Sequence, residues 1–296
     1  FFMKNKYFGL EEEDVKFFSQ GMLPAVSEDG KILLEAKGHV ALSPNGNGGV
    51  YKGLAESGLL DYMEERGVQY IVQTSVDNVL NKMADPVLIG CMKERGYDCC
   101  SKVVRKRDSK EAVGVLAYKD DKAGVVEYSE ISGTLAEATT ADGELLFGAA
   151  HICNNGYELS FLRRVSEDYL PFHKANKKVP FINEAGVRVI PDQPNAYKFE
   201  MFIFDAFAHA KSMGALEVKR SEEFAPLKNA DSAGVDCPRT CKEMFCAQSR
   251  SWLEHAGAII DSTKSDICEV SPLLSYNGEG LEKYKGQKIV LPCIVE

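Results

Sequence analysis

Apolar positions along this chain fall into short runs and helix-spaced sets, punctuated by turns rich in glycine and asparagine. Residues 15–18 and 31–34 read as short strands, the second preceded by the turn signal Asp29-Gly30. After Pro44-Asn45-Gly46-Asn47-Gly48-Gly49, the residues Tyr51, Leu54, Ala55, Gly58, Leu59 and Tyr62 recur at helical spacing, and Gly67 closes that helix. Residues 68–74 then predict a buried strand running into Ser75-Val76-Asp77-Asn78. Asp85-Pro86 supplies a cap and a first-turn proline for the next helix, which Gly96 ends. Strands are expected at 101–106, 113–118, 124–128 and 145–153, with a hairpin turn at 119–122. A helix follows from 158 to about 164, and the broad apolar pattern of 196–213 predicts another. A strand at 216–219, a polar loop at 221–234, a helix from Cys237-Pro238 to Gly257 and strands through 289–295 complete the chain. Strands alternating with helices make this an α/β protein with a mixed, mostly parallel sheet. The change in composition near Ala225 suggests a division into residues 1–224 and a small α+β part at 225–296.

Composition narrows the function. With 35 basic against 44 acidic residues the net charge is −9, which argues against a nucleic-acid binder. No apolar run approaches the ~18 residues of a membrane helix, so no membrane partner is expected. The nine cysteines are scattered and odd in number, which favours a reducing cytoplasm over a disulfide framework. Cys237, Cys241 and Cys246 with His255 do not have zinc-knuckle spacing and lie in a predicted helix, so they read as small buried residues. The chain opens Phe1-Phe2-Met3 without a basic or signal-like segment, and is expected to be part of a longer polypeptide.

Three places could carry chemistry. The 44–49 loop offers open backbone N–H groups before a helix, a setting for an acceptor or anionic ligand. An ordinary tight turn is the competing reading, and the Gly-Lys-Ser/Thr ending of a Walker loop is absent. Asp77 sits at the expected carboxyl end of a strand, where α/β sheets place ligands and a carboxylate can hold Mg²⁺; a turn or cap is the alternative. Lys228 follows the 216–219 strand and could reach a phosphate as a mobile charge. Gln20 could read a base edge or lie in an exposed turn. Glu127, Tyr128, Phe202, Phe204 and His151 each fit core or hairpin positions as well as a site. Hydrolase motifs such as Gly-x-Ser-x-Gly and His-Glu-x-x-His are missing.

Taken in order, several segments resemble the eukaryotic UDP-N-acetylhexosamine pyrophosphorylases. They are Phe17-Phe18-Ser19-Gln20-Gly21-Met22-Leu23-Pro24, the 44–49 loop, Val76-Asp77-Asn78, Val126-Glu127-Tyr128-Ser129-Glu130, Ile152-Cys153-Asn154, Leu170-Pro171-Phe172-His173, Phe202-Ile203-Phe204-Asp205, and Phe224 through Ser232. The resemblance implies a glycosyltransferase-A-like Rossmann core with a small C-terminal domain. It implies that UTP and N-acetylglucosamine 1-phosphate give UDP-N-acetylglucosamine and pyrophosphate, with Mg²⁺. Gln20 and Gly46 would contact uracil, and Asn47 the sugar nucleotide. Asp77 would hold metal and phosphates, and Lys228 would approach the phosphates. Gly114, Glu127, Tyr128 and His151 would line the sugar pocket, and Phe202 and Phe204 its N-acetyl side. A cytoplasmic monomer or weak dimer is expected.

Two positions depart from the family pattern. Asn45 stands where the family has Asp, and His151 where it has Asn, which bears on sugar preference. The family's Gly-Gly-x-Gly-Thr-Arg phosphate loop lies upstream of Phe1, so this chain alone is expected to be inactive. A UDP-sugar pyrophosphorylase of different sugar preference, or a non-catalytic sugar-nucleotide-binding paralogue, are the alternatives.

Overall fold

The computed structural model describes residues 1–131 and 133–296. The chain forms two compact units. One comprises Phe1–Gln69, Tyr118–Gly124 and Glu158–Lys211; the other comprises Tyr70–Ala117, Val125–Tyr157 and Ser212–Glu296. The expected division at 224/225 falls inside the second.

In the first unit, Met22–Pro24 pairs antiparallel with Leu42–Pro44. Ala196–Glu200 is the middle strand of a sheet with His173–Lys177 on one side and Val26–Ser27 on the other. Ala25, Ala41, Val179 and Ala196 form the small core beneath. The helix Leu159–Glu167 buries Leu159, Phe161, Leu162 and Val165 on one face. Its other face sends Arg163 to Asp61 and Glu64, at 2.8 and 2.7 Å.

Several expectations are corrected here. Residues 15–18 form no strand: Phe17 is exposed, and an extended run without a hydrogen-bonding neighbour stays irregular. The strand expected at 31–34 begins instead at Leu34 and runs to Ala36. The single helix expected after the glycine loop is two, Val50–Glu56 and Leu59–Glu65, because Gly58 takes φ +72° between them. The helix expected over 196–213 is absent. Its place is taken by the strand Ala196–Glu200, a 3₁₀ segment Ile203–His209 and the start of the strand Met213–Glu217. An apolar pattern broad enough for a buried helix also suits a strand with neighbours on both sides.

Most residues of a six-stranded sheet belong to the second unit, its hairpin tip Tyr118–Gly124 counting with the first. The order is Met213–Glu217, Cys99–Arg105, Ala149–Glu158, Val115–Lys119, Lys122–Val126, with Tyr70–Thr74 also paired to Ala149–Glu158. The sheet is mixed, as expected. Met213–Glu217 and Cys99–Arg105 run parallel, while Ala149–Glu158 is antiparallel to its neighbours on either side, so the parallel share is smaller than the sequence suggests. Cys99–Arg105 is buried through its first six residues. The hairpin turn forms as expected, with Asp120 and Asp121 at φ +50° and +61°. On one face lies the helix Pro86–Arg95, started by Asp85, whose carboxylate accepts the Val87 N–H, and ended by Gly96 in the left-handed conformation. Leu88 and Met92 of this helix pack on Cys100, Tyr70 and Val72. Further on, the helix Pro238–His255 packs with two parallel strand pairs around Leu253, Cys268, Val270, Leu281, Leu291 and Val295.

Candidate active site

In the first unit the glycine loop is shaped by backbone approach. Gly46 has φ +83°, and a Cβ there would lie 2.3 Å from the Met201 carbonyl oxygen, so only glycine fits. Gly48 donates its N–H to Met201 O at 2.8 Å, and Met201 N–H donates to Asn45 O at 2.8 Å. Asn47 Oδ1 accepts the Ile203 N–H at 2.9 Å. Gln20 is exposed, and its Nε2 donates to Gly46 O at 2.7 Å. Gln20, Gly46 and Asn47 are therefore brought together, although Gln20 follows no strand. Asn45 is buried between Gly21 and Gly49, each so close that a Cβ would touch its amide.

Phe202 and Phe204 stack beside this loop with ring centroids 5.0 Å apart, and His173 stacks on Phe202 at 4.6 Å. Asp205 Oδ2 fixes the imidazole, 2.9 Å from His173 Nε2, and also accepts the Phe202 N–H. His173 and Asp205 belong to motifs visible in the sequence, but no spacing rule joins residues 32 apart.

In the second unit Asp77 lies three residues beyond the strand Tyr70–Thr74. It is half-buried, and its carboxylate accepts the Ser75 hydroxyl. Its backbone carbonyl accepts the Leu227 N–H at 2.8 Å, which brings the segment leading to Lys228 alongside. The Lys228 side chain is exposed. The Cys153 thiol responds to both: burial pushes it up to about 11, Lys228 pulls it down, and Asp77 and Glu127 raise it further. Cys153 itself has φ +53°, where the strand Ala149–Glu158 shifts register.

Gly114, Glu127 and His151 also converge. His151 N–H donates to Gly114 O at 2.9 Å, and a Cβ on Gly114 would meet Glu127 Oε1 at 3.2 Å. The His151 ring is buried and engaged inside the sheet: Nε2 lies 3.1 Å from Asn155 Oδ1, and Nδ1 lies 3.9 Å from Cys153 Sγ. Burial lowers its pKa to about 4, so it is neutral at pH 7. Tyr128 is about half exposed on the surface.

Among the described residues no group of three or more His, Cys, Asp or Glu could hold a metal, and no helix is long and apolar enough to cross a membrane. Cys241 Sγ is directed to the Ala225 and Pro226 carbonyls.

A glycine loop beside an aromatic pair in one unit, and an acidic strand end beside the Lys228 segment in the other, are each features of an α/β protein that handles a nucleotide. The chain belongs to the UTP–glucose-1-phosphate uridylyltransferase family, which it matches over residues 2–289. It is 42% identical over 97% of its length to the UDP-N-acetylglucosamine pyrophosphorylase of Saccharomyces cerevisiae. It is 43% identical over its whole length to the human UDP-N-acetylhexosamine pyrophosphorylase-like protein 1. A crystal structure of the Trypanosoma brucei UDP-N-acetylglucosamine pyrophosphorylase with an inhibitor superposes with TM-score 0.82 at 33% identity, covering 95% of this chain and 60% of that one. The chain spans 61% and 62% of the yeast and human relatives.

Proposed function

We propose that the protein transfers a uridylyl group from UTP to N-acetylglucosamine 1-phosphate, giving UDP-N-acetylglucosamine and pyrophosphate. The relatives' activity supports the reading, and the observation that carries it is the alignment of Asp77 with the segment of Lys228. A sugar phosphate is already anionic, so its oxygen can attack the α-phosphorus in line without a protein nucleophile or strong base. What the protein must supply is alignment and neutralisation of charge.

Gln20 and Gly46 hold the uridine side and Asn47 the sugar nucleotide, with Phe202 and Phe204 against the N-acetyl group. Gly114, Glu127, Tyr128 and His151 border the sugar hydroxyls. Both His151 ring nitrogens face strand partners, so the imidazole shapes that border rather than reaching across it. Lys228, exposed on a loop, follows the phosphates. One carboxylate without an all-protein cage suits Mg²⁺, which binds through one or two carboxylates and completes its shell with phosphates and water. Asp77 would hold it, and bound there it would offset charge on the phosphate oxygens. The nine cysteines are free thiols, which supports a reducing cytoplasmic setting for an enzyme read as a monomer or weak dimer.

The test is Mg²⁺-dependent pyrophosphate release from UTP by the full-length protein with GlcNAc-1-P, GalNAc-1-P and Glc-1-P side by side. Turnover favouring the acetylated sugars, lost by at least ~100-fold in Asp77→Ala, is expected. Binding of UDP-N-acetylglucosamine without turnover would instead leave a binding paralogue.

A further inference from the structure

We infer that Asn78 is a positioning residue that locks the Asp77 loop and the Lys228 segment into one register. The inference rests on the roles given above to Asp77 and Lys228. Asn78 is buried, with 4% of its surface exposed, and its amide is fully engaged. Nδ2 donates to Glu223 O at 2.7 Å and to Asn81 Oδ1 at 2.9 Å. Oδ1 accepts the Ala225 N–H at 2.8 Å and the Leu80 N–H at 3.2 Å.

The backbone continues the seam. Leu227 N–H donates to Asp77 O at 2.8 Å, Val79 N–H donates to Ala225 O at 3.2 Å, and Asn78 forms an antiparallel bridge with Pro226. Asp77 is the residue next to Asn78 on its strand side. Lys228 is the residue after Leu227. One side chain therefore sets the relation of the two segments that carry the proposed phosphate ligands.

The far side of the seam is itself anchored. Lys102, fully buried on the strand Cys99–Arg105, places Nζ between Asp85 Oδ2, at 2.5 Å, and the Glu223 carboxylate. Lys82 reaches the other Glu223 oxygen at 3.2 Å. The carbonyl that Asn78 grips thus belongs to a residue fixed to the sheet. An amide is the group that suits this place, since it offers two donors and two lone pairs in one plane. A carboxylate would lack both donors.

Because alignment is the main contribution asked of the protein, a small displacement of Asp77 against Lys228 should appear in kcat. The experiment compares Asn78→Ala with Ser249→Ala in the full-length enzyme. Ser249 is buried and accepts the Val270 N–H, remote in sequence from both segments. Asn78→Ala is expected to lower kcat on the order of 100-fold with KM for UTP unchanged. Amide exchange should quicken at 77–80 and 225–228 while 99–105 stays protected. Ser249→Ala should lower the melting temperature and leave kcat alone. Should Asn78→Ala not fold, Asn78→Ser keeps one donor and one acceptor, and an intermediate kcat is expected.

Three results would overturn the inference: exchange at 77–80 and 225–228 as slow as in the wild type, kcat unchanged despite fast exchange, or a kcat loss shared by Ser249→Ala. A wild-type enzyme that turns over no sugar phosphate would sink the proposed reaction and with it any catalytic role for the seam, whereas amide exchange alone would still decide whether Asn78 holds the two segments.

Discussion

The two units build their candidate sites from different materials. Of the thirteen buried polar side chains among the described residues, Ser43 and Asn45 belong to the first; the others, including Lys102, Asp85, Glu223, Asn78, His151 and Asn155, belong to the second. In the first unit the candidate site is made of backbone and rings: glycines pressed against Met201, carbonyls paired with N–H groups, and a tilted aromatic stack. In the second it is made of side-chain networks around a strand with a shifted register. A neutral base and an acetyl group are recognised by shape and close approach, which backbone and rings provide. Under the proposed reaction, phosphates and a metal would be aligned as charges, and charged groups keep their places only when other buried polar groups brace them.

The largest expected effect breaks the bracing of the second unit. Lys102→Met leaves Asp85 and Glu223 without their shared cation, and should cost about 3–5 kcal/mol by urea unfolding. A cost under about 1 kcal/mol, the range of exposed ion pairs, would show that the buried charges do not organise this unit.

Next comes a pH effect confined to the second unit. The His151 pKa is lowered from 6.5 to about 4 in the folded chain, so the native state keeps a neutral ring that the unfolded chain protonates first. The stability this contributes is present above pH 6.5 and is lost as the pH falls towards 4. His151→Asn should flatten that acid slope by up to about 3 kcal/mol. Equal slopes in the two proteins would remove His151 from the account of acid sensitivity.

The smallest effect concerns the first unit. Gly46→Ala forces a Cβ against the Met201 carbonyl at a left-handed φ, and a cost of about 2 kcal/mol is expected. KM for UTP should rise more than kcat falls. A change in kcat alone would contradict the division of labour between backbone and charge.

Much of the site was legible because local chemistry wrote it. Asp85-Pro86 and Gly96 bounded their helix through the cap, the ring and the left-handed turn, all properties of a few adjacent residues. The 44–49 loop declared itself by its glycines, and Asp77 by following a strand. The 196–213 segment misled because its apolar pattern fits a helix and a doubly flanked strand alike, and only the partners His173–Lys177, Val26–Ser27 and Cys99–Arg105 decide between them. Gln20 follows a segment that reads as a strand and does not form one, and only the tertiary fold makes its bond to Gly46, which spans 26 residues.

By itself, then, the sequence determined the α/β grammar, the caps and turns, and which residues were available for chemistry, since these depend on contacts within a turn or two of chain. Tertiary structure decided that Lys102 is buried, that His173 stacks on Phe202, that the His151 ring faces Asn155, and that Asn78 joins residues up to 147 positions away. Such pairings are governed by burial and by the need to satisfy every buried donor and acceptor, and that requirement is met only when distant segments meet.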